Sequence, residues 1–163
     1  NRRHFMATEK IDDILKEYEE GLRKAMVCTN SEQTSKTICD AIRELKYAPD
    51  IPVNVDDAFE KIKFNQYDLI IIDENYGGKG IEGNDFLKHL QLMPMVTRRK
   101  MFVALIGSGF KTFDNMSAFE QSVNLVTNVN DIPSIKVILR KAISDNDQFY
   151  KVFRETLSKF GKY

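Results

Sequence analysis

The sequence has little cysteine, no tryptophan and no excess of charge of either sign. Only Cys28 and Cys39 occur in 163 residues, without a CxxC motif or a nearby histidine, which argues against a disulfide framework or a metal centre. Lysine plus arginine (24) equals aspartate plus glutamate (24), so the molecule as a whole has no electrostatic attraction to nucleic acids or anionic membranes. These absences predict a cytoplasmic protein with no metal, no nucleic-acid partner and no membrane partner.

Long hydrophobic runs are also missing. The longest, Leu69–Ile72, is far shorter than a membrane span. No apolar stretch follows the basic N-terminus at Asn1–His4, so no secretory signal is predicted. The chain does not begin with Met, which is compatible with a fragment of a longer polypeptide.

What the sequence does contain is an alternation of short apolar runs and helical patterns, typical of a parallel sheet wrapped by helices. Helix-capping residues follow the strands at Asn30 or Ser31, Asp56 and Asn84, and Pro133 stands in the first turn of the last helix. We predict an α/β fold, a doubly wound five-stranded parallel sheet of the flavodoxin type in the order 2-1-3-4-5. The predicted strands are residues 25–29, 53–55, 67–73, 101–106 and 123–127.

The two ends of the chain exceed what this sheet needs. Residues 7–24 carry apolar side chains at helical spacing, and a longer stripe continues to the C-terminus. We divide the chain into an N-terminal helical extension (1–24), a central domain (25–143) and a C-terminal helical extension (144–163). The extensions either fold back on one another or form a dimer interface, with Phe149, Phe153, Leu157 and Phe160 as interaction residues. The C-terminal stripe is Leu139, Ala142, Asn146, Phe149, Phe153, Leu157 and Phe160.

In an open α/β sheet, ligands bind at the carboxyl ends of the central strands. Asp73 directly follows the strongest strand pattern, Leu69–Ile72, and is the outstanding candidate at this edge. The same edge is expected to gather further polar positions. These are Thr29, Asn30, Glu74, Gly107, Ser108 and Thr127.

Residues 25–143 resemble the receiver domain of bacterial two-component response regulators, the CheY-like family. The resemblance covers about three-quarters of the chain and rests on Tyr67–Asp73, the loop that reaches Gly83, and Phe86-Leu87 on the next helix. It implies that Asp73 matches the phosphoacceptor. The family's acidic pair, which helps to hold Mg²⁺, is replaced by Thr29 and Asn30, and its strand-5 lysine is replaced by Thr127.

These replacements leave the matching positions without a cation. The family's hydroxyl residue at the end of strand 4 also matches poorly, because Ser108 could serve only with a shifted register after Ile106-Gly107. An aspartyl phosphate beside Glu74 would be repelled by roughly 4 kcal/mol at about 4 Å separation and an effective dielectric of 20. A helix N-terminus returns only about 0.3–2 kcal/mol.

We therefore predict a degenerate receiver domain, not an enzyme and without a cofactor, that works as a protein-interaction module in bacterial signalling. Its protein partners would bind the face formed by the fourth helix, the fifth strand and the fifth helix, or the terminal helices. Two alternatives stay open. One is an active phosphoacceptor that takes the phosphoryl group on Asp73 with Mg²⁺. The other is a flavodoxin-like binder of a small cofactor such as FMN.

Overall fold

The computed structural model describes residues 10, 11, 14 and 21–161. Five strands form one parallel sheet in the order β2-β1-β3-β4-β5, so the predicted fold class and strand order are confirmed. Each neighbouring pair of strands runs parallel, and β3 at the centre pairs with both β1 and β4. The strands are β1 (Arg23–Cys28), β2 (Tyr47–Asp50), β3 (Leu69–Asp73), β4 (Phe102–Gly107) and β5 (Leu125–Asn128).

Four of the six α-helices in the described residues begin at a short polar side chain that caps them. The Ser31 side chain accepts from the Thr34 amide, and the Asn84 side chain accepts from the Leu87 amide, so these two predicted caps are confirmed. The helices are α1 (Glu32–Glu44), α2 (Val55–Phe64), α3 (Asp85–Gln91), α4 (Met95–Arg98), α5 (Asn115–Glu120) and α6 (Ile135–Lys159), with a 3₁₀ turn at Val129–Ser134 before α6.

Alternate residues of the sheet feed two separate apolar layers. In β3, Leu69 and Ile71 pack on the side of α1 and α6, while Ile70 and Ile72 pack on the side of α2 and α3. All four side chains are fully buried, which explains why this strand is a continuous apolar run rather than an alternating one. Burying each such side chain contributes about 1.5–3 kcal/mol.

The predicted position of the second strand is wrong. We expected residues 53–55, but β2 is Tyr47–Asp50, at the edge of the sheet where it pairs only with β1. An edge strand tolerates Pro49 because one side of its backbone needs no partner. Residues 53–55 instead begin α2, and Asn54 rather than the expected Asp56 is the cap, accepting from the Asp57 amide at 2.8 Å.

The long C-terminal helix is present as predicted, and α6 runs without a break for 25 residues. Its first turns pack against α1, where Lys136 Nζ lies 2.6 Å from a Glu44 carboxylate oxygen. Beyond residue 143 the half-buried positions include Asn146, Tyr150, Phe153 and Leu157. The predicted stripe included Phe149, but Tyr150 is the half-buried residue at this turn of α6. Both positions continue the pattern, because a helix has 3.6 residues per turn.

The predicted N-terminal helix lies mostly outside the described residues. Of its residues, Lys10, Ile11 and Ile14 are described and are helical, and Arg23 and Lys24 already belong to β1. The division of the chain into 1–24, 25–143 and 144–163 therefore stays a prediction. None of the helices in the described part of the chain combines the length and apolarity needed to cross a membrane.

Candidate functional site at the carboxyl edge of the sheet

Asp73 ends β3 at the carboxyl edge of the sheet and is half-buried. Its Oδ1 accepts a hydrogen bond from the Asn75 amide at 2.8 Å. Burial raises the pKa of Asp73, and the charge of Glu74 adds to this, while the Asn75 amide opposes it. The ion pairs within the described residues do not include Asp73. Its carboxylate is therefore held by a neutral amide rather than a cation.

Thr29 and Asn30 follow β1, which pairs with β3 so that Cys28 lies opposite Ile72. Both side chains make hydrogen bonds to neutral groups. Thr29 Oγ1 lies 2.8 Å from Ser35 Oγ and donates to the Ser31 carbonyl at 3.2 Å. Asn30 Nδ2 donates to the Asn75 carbonyl at 2.6 Å. At the two positions that the resemblance matches to an acidic pair, the side chains are neutral, and Asn30 joins the loop after β1 to the loop after β3.

The loop after Asp73 is fixed by further amide groups. Asn84 Nδ2 donates to the carbonyls of Asp73 and Glu74, each at 3.1 Å. Asn75 Oδ1 accepts from the Gly80 amide at 2.7 Å, which closes the glycine-rich turn. Gly80 has φ +71°, a left-handed conformation that glycine adopts without strain. The loop is thus tied to β3 and to the start of α3 by the side-chain amides of Asn75 and Asn84.

Glu74 is directed toward the loop after β4. Its Oε1 accepts from the Ser108 amide at 3.0 Å and from the Ser108 hydroxyl at 3.3 Å. A Cβ at Gly107 would lie 2.6 Å from Glu74 Oε2 and 2.6 Å from a Phe110 ring carbon, so any other residue there requires these side chains to move. Ser108, the candidate hydroxyl residue, therefore donates to Glu74.

Thr127 lies in the same row of the sheet as Asp73, but a strand separates them. Asp73 pairs with Ile106, and Ile106 pairs with Thr127. Two strand spacings put their backbones about 10 Å apart. Thr127 is fully buried, and within the described residues its hydroxyl has no hydrogen-bond partner. A short neutral side chain at this distance cannot replace a lysine that reaches toward the acid.

The structure thus brings the predicted site residues to one edge but in separate hydrogen-bonded groups. Among the residues it describes, no three His, Cys, Asp or Glu side chains are grouped to hold a metal ion. A phosphoryl group on Asp73 would carry a charge of about −1.5 to −2. The nearest charge shown to act on Asp73 is that of Glu74, which has the same sign.

Sequence reasoning missed the structural importance of Asn75 and Asn128. The Asn128 Nδ2 donates to the carbonyls of Ser108 and Phe110, at 3.3 and 2.7 Å. Both asparagines stand just after a strand and before a turn, where their short amide side chains commonly bond local backbone. That position was the available signal.

No protein-family model matches this chain. No curated protein matches it either. Solved structures do match the chain. A response regulator from Thermotoga maritima is 15% identical with a TM-score of 0.58, and the match covers 76% of this chain and 98% of that one. A CheY-like receiver domain from Methylobacillus flagellatus is 21% identical with a TM-score of 0.55 over 75% of this chain and 99% of that one.

A third similar structure is the chemotaxis response regulator CheY4 of Vibrio cholerae, 13% identical with a TM-score of 0.58 over 77% of this chain and 98% of that one. These matches span nearly the whole of each receiver structure. The chain therefore has the fold of CheY-like response-regulator receiver domains, and the resemblance drawn from its sequence is confirmed at the level of the fold.

Proposed function

We propose that this protein is a degenerate receiver domain of bacterial signalling, a cytoplasmic protein-interaction module that is not an enzyme and does not take a phosphoryl group on Asp73. The observation that carries the proposal is that, in the described part of the chain, Asp73 is in no ion pair with a cation, while the charge of Glu74 acts on it with the same sign. Thr29 and Asn30 occupy the positions of the metal-binding acids, and Thr127 that of the lysine. All of them but Thr127 have neutral hydrogen-bond partners of their own.

The electrostatics of the site support the same conclusion. In a phosphorylated receiver the added charge is offset by Mg²⁺ and a lysine. Here the charge on Asp73 is already disfavoured by burial and by Glu74, which is why its pKa is raised. A further negative charge at that position would add to the same cost. The acid remains at the end of β3 but lacks the partners that stabilise its phosphorylated form.

A site held in one arrangement suits a module whose output does not depend on phosphorylation. Asn30 joins the loop after β1 to the loop after β3 by donating to the Asn75 carbonyl, and Glu74 joins the loops after β3 and β4 by accepting from Ser108. The face formed by α5, β5 and α6 would then present one constant surface to a protein partner. Its exposed apolar side chains include Met116 and Phe119 on α5.

The test is incubation of the purified chain with a small phosphodonor and Mg²⁺, followed by intact-mass measurement. If the proposal is right, the mass of the chain does not increase by the mass of one phosphoryl group. A phosphorylated species that is absent from the Asp73→Asn variant would overturn it in favour of an active phosphoacceptor. A flavin spectrum in the purified protein would instead favour a flavodoxin-like cofactor binder.

We also propose that the chain forms a homodimer through the outer face of its C-terminal helical extension. The observation that favours it is the outer face of α6, where Phe149 and Phe160 are 65% and 71% exposed on a helix that extends beyond the sheet. A dimer is expected at micromolar concentration by light scattering, and a monomer for Phe149→Ser combined with Phe160→Ser. The matched control is Phe119→Ser, an exposed phenylalanine on α5 that is expected to leave the dimer intact. A monomeric parent would contradict the proposal.

A further inference from the structure

A second surface of the molecule lies at the amino edge of the sheet, opposite Asp73. Here the far half of α6 and the starts of β1, β2 and β4 enclose an open cleft of about 630 Å³. Its apolar walls come from α4, from the start of β4 and from the half-buried side chains of α6. These residues are Val96, Met101, Phe102, Tyr150, Phe153 and Leu157.

The charged lining of the cleft is mostly basic. Arg23, Arg99, Lys100 and Arg154 line it, against two acids, Asp68 and Asp147. Asp68 Oδ2 already accepts from the Lys24 amide at 3.0 Å. The Arg99 guanidinium lies 5.2 Å from the centre of the Phe153 ring, so one cation is stacked directly on an apolar wall. The cleft is therefore suited to a segment that is both apolar and acidic.

The chain itself contains such a segment immediately before β1. Residues 9–20 include six acidic and two basic side chains, and Ile11, Ile14, Leu15 and Tyr18 recur at i, i+3, i+4 and i+7. Of these residues, the structure describes Lys10, Ile11 and Ile14 as helical, with both isoleucine side chains 56% exposed. A 12-residue helix is about 18 Å long, close to the roughly 21 Å that α6 covers between residues 143 and 157.

The connection between the segment and the cleft is short. Arg23 begins β1 and also lines the cleft. Only Gly21 and Leu22 therefore separate residues 9–20 from a residue of the cleft. Such a short tether gives the segment a high effective concentration at the cleft. We propose that residues 9–20 dock in this cleft of their own chain, with the apolar stripe against α6 and the acidic side chains facing the basic rim.

The test is amide hydrogen exchange of the full chain, read out over residues 9–22. If the segment is docked, its amides are protected from exchange. Combining Arg99→Glu with Arg154→Glu is expected to reduce that protection roughly tenfold, because two favourable charge contacts become repulsive. The matched control is Lys88→Glu, an exposed charge reversal on α3 away from the cleft, which is expected to leave the protection unchanged.

A charge exchange separates docking from a local effect on α6. The periodicity of the segment puts Asp12 and Glu19 beside the apolar stripe. Adding Asp12→Lys and Glu19→Lys to the cleft variant is therefore expected to restore protection. A segment that exchanges like an unstructured peptide in the parent, or protection unaffected by the cleft charges, would overturn the proposal. Protection that disappears on dilution to nanomolar concentration would also overturn it, because the docked segment would then belong to a second copy.

Discussion

The two edges of the sheet differ in how their charged side chains are arranged. At the carboxyl edge, Asp73 and Glu74 accept hydrogen bonds from the Asn75 and Ser108 amides inside tightly connected loops. At the amino edge, basic side chains line an open cleft with apolar walls. Ligands of open α/β sheets normally bind at the carboxyl edge. In this chain a cleft lined by four basic side chains lies at the other edge.

This difference teaches that one fold can carry quite different side-chain arrangements at its two edges. The carboxyl edge keeps the receiver's strand order and its terminal acid. The amino edge is extended by α6, which supplies Phe153 and Arg154 to a surface the sheet alone would not form. Substitutions at the carboxyl edge test whether its chemistry depends on the residues identified there.

The largest effect is expected from returning acids to the end of β1. Thr29→Asp combined with Asn30→Asp would place two carboxylates beside Asp73, the ligand type that Mg²⁺ prefers. Mg²⁺ is then expected to stabilise the variant against unfolding by about 2.7 kcal/mol at a hundred times its dissociation constant. Thermal unfolding with and without Mg²⁺ measures this.

The control for the acidic variant is Thr29→Ser with Asn30→Gln, which changes the same positions without adding charge. The parent and this control are expected to show no Mg²⁺-dependent shift in Tm. Equal stabilisation of the parent by Mg²⁺, lost in Asp73→Asn, would show that the carboxyl edge already binds the metal and would remove the contrast between the edges.

A smaller effect is expected from crowding the contact between Glu74 and the loop after β4. Gly107→Ala puts a methyl group 2.6 Å from the Glu74 carboxylate and the Phe110 ring, and is expected to cost about 1–3 kcal/mol of unfolding free energy. Gly109→Ala is the matched control, since a Cβ there meets nothing within 4 Å. Chemical denaturation compares the two. Equal stability would mean that the Glu74 contact contributes nothing to the fold.

The smallest effect is expected from removing the charge of Asp73. Because its pKa is raised in the folded protein, the ionised carboxylate costs stability above that pKa, and the cost disappears as pH falls below the ordinary value near 4. Asp73→Asn is therefore expected to raise the Tm at pH 7 and to match the parent at low pH, a gain below about 1 kcal/mol because the group is half-exposed. Asp68→Asn is the control and is expected to give no gain. A destabilised Asp73→Asn at pH 7 would contradict the account.

Much of the fold could be read from the sequence because its central strands are buried on both faces. The run Leu69–Ile72 is apolar throughout, and no helical spacing competes with it. The edge strand could not be placed, because Tyr47–Asp50 includes Pro49 and has few apolar residues, while Val53 and Val55 look more like a strand. The cap at Asn54 decides that local competition in favour of a helix.

The candidate site was predictable only as a set of positions. Parallel strands bring their carboxyl ends together, so Thr29, Asp73 and Thr127 were expected at one edge. Which groups bond to which could not be predicted, because the partners of Asn30, Asn84 and Glu74 depend on how the loops after β1, β3 and β4 are placed relative to one another. The cleft at the amino edge was not predicted at all, because it needs the relative placement of α4, α6 and the strand starts.

The most direct measurement of the central claim uses beryllofluoride, a mimic of the phosphoryl group, together with Mg²⁺ and the purified chain. The account predicts that ¹⁹F NMR shows no protein-bound fluoride resonance, because none of the ion pairs among residues 21–161 gives Asp73 a cation to offset the added negative charge. A bound resonance that requires Mg²⁺ and is lost in Asp73→Asn would contradict it.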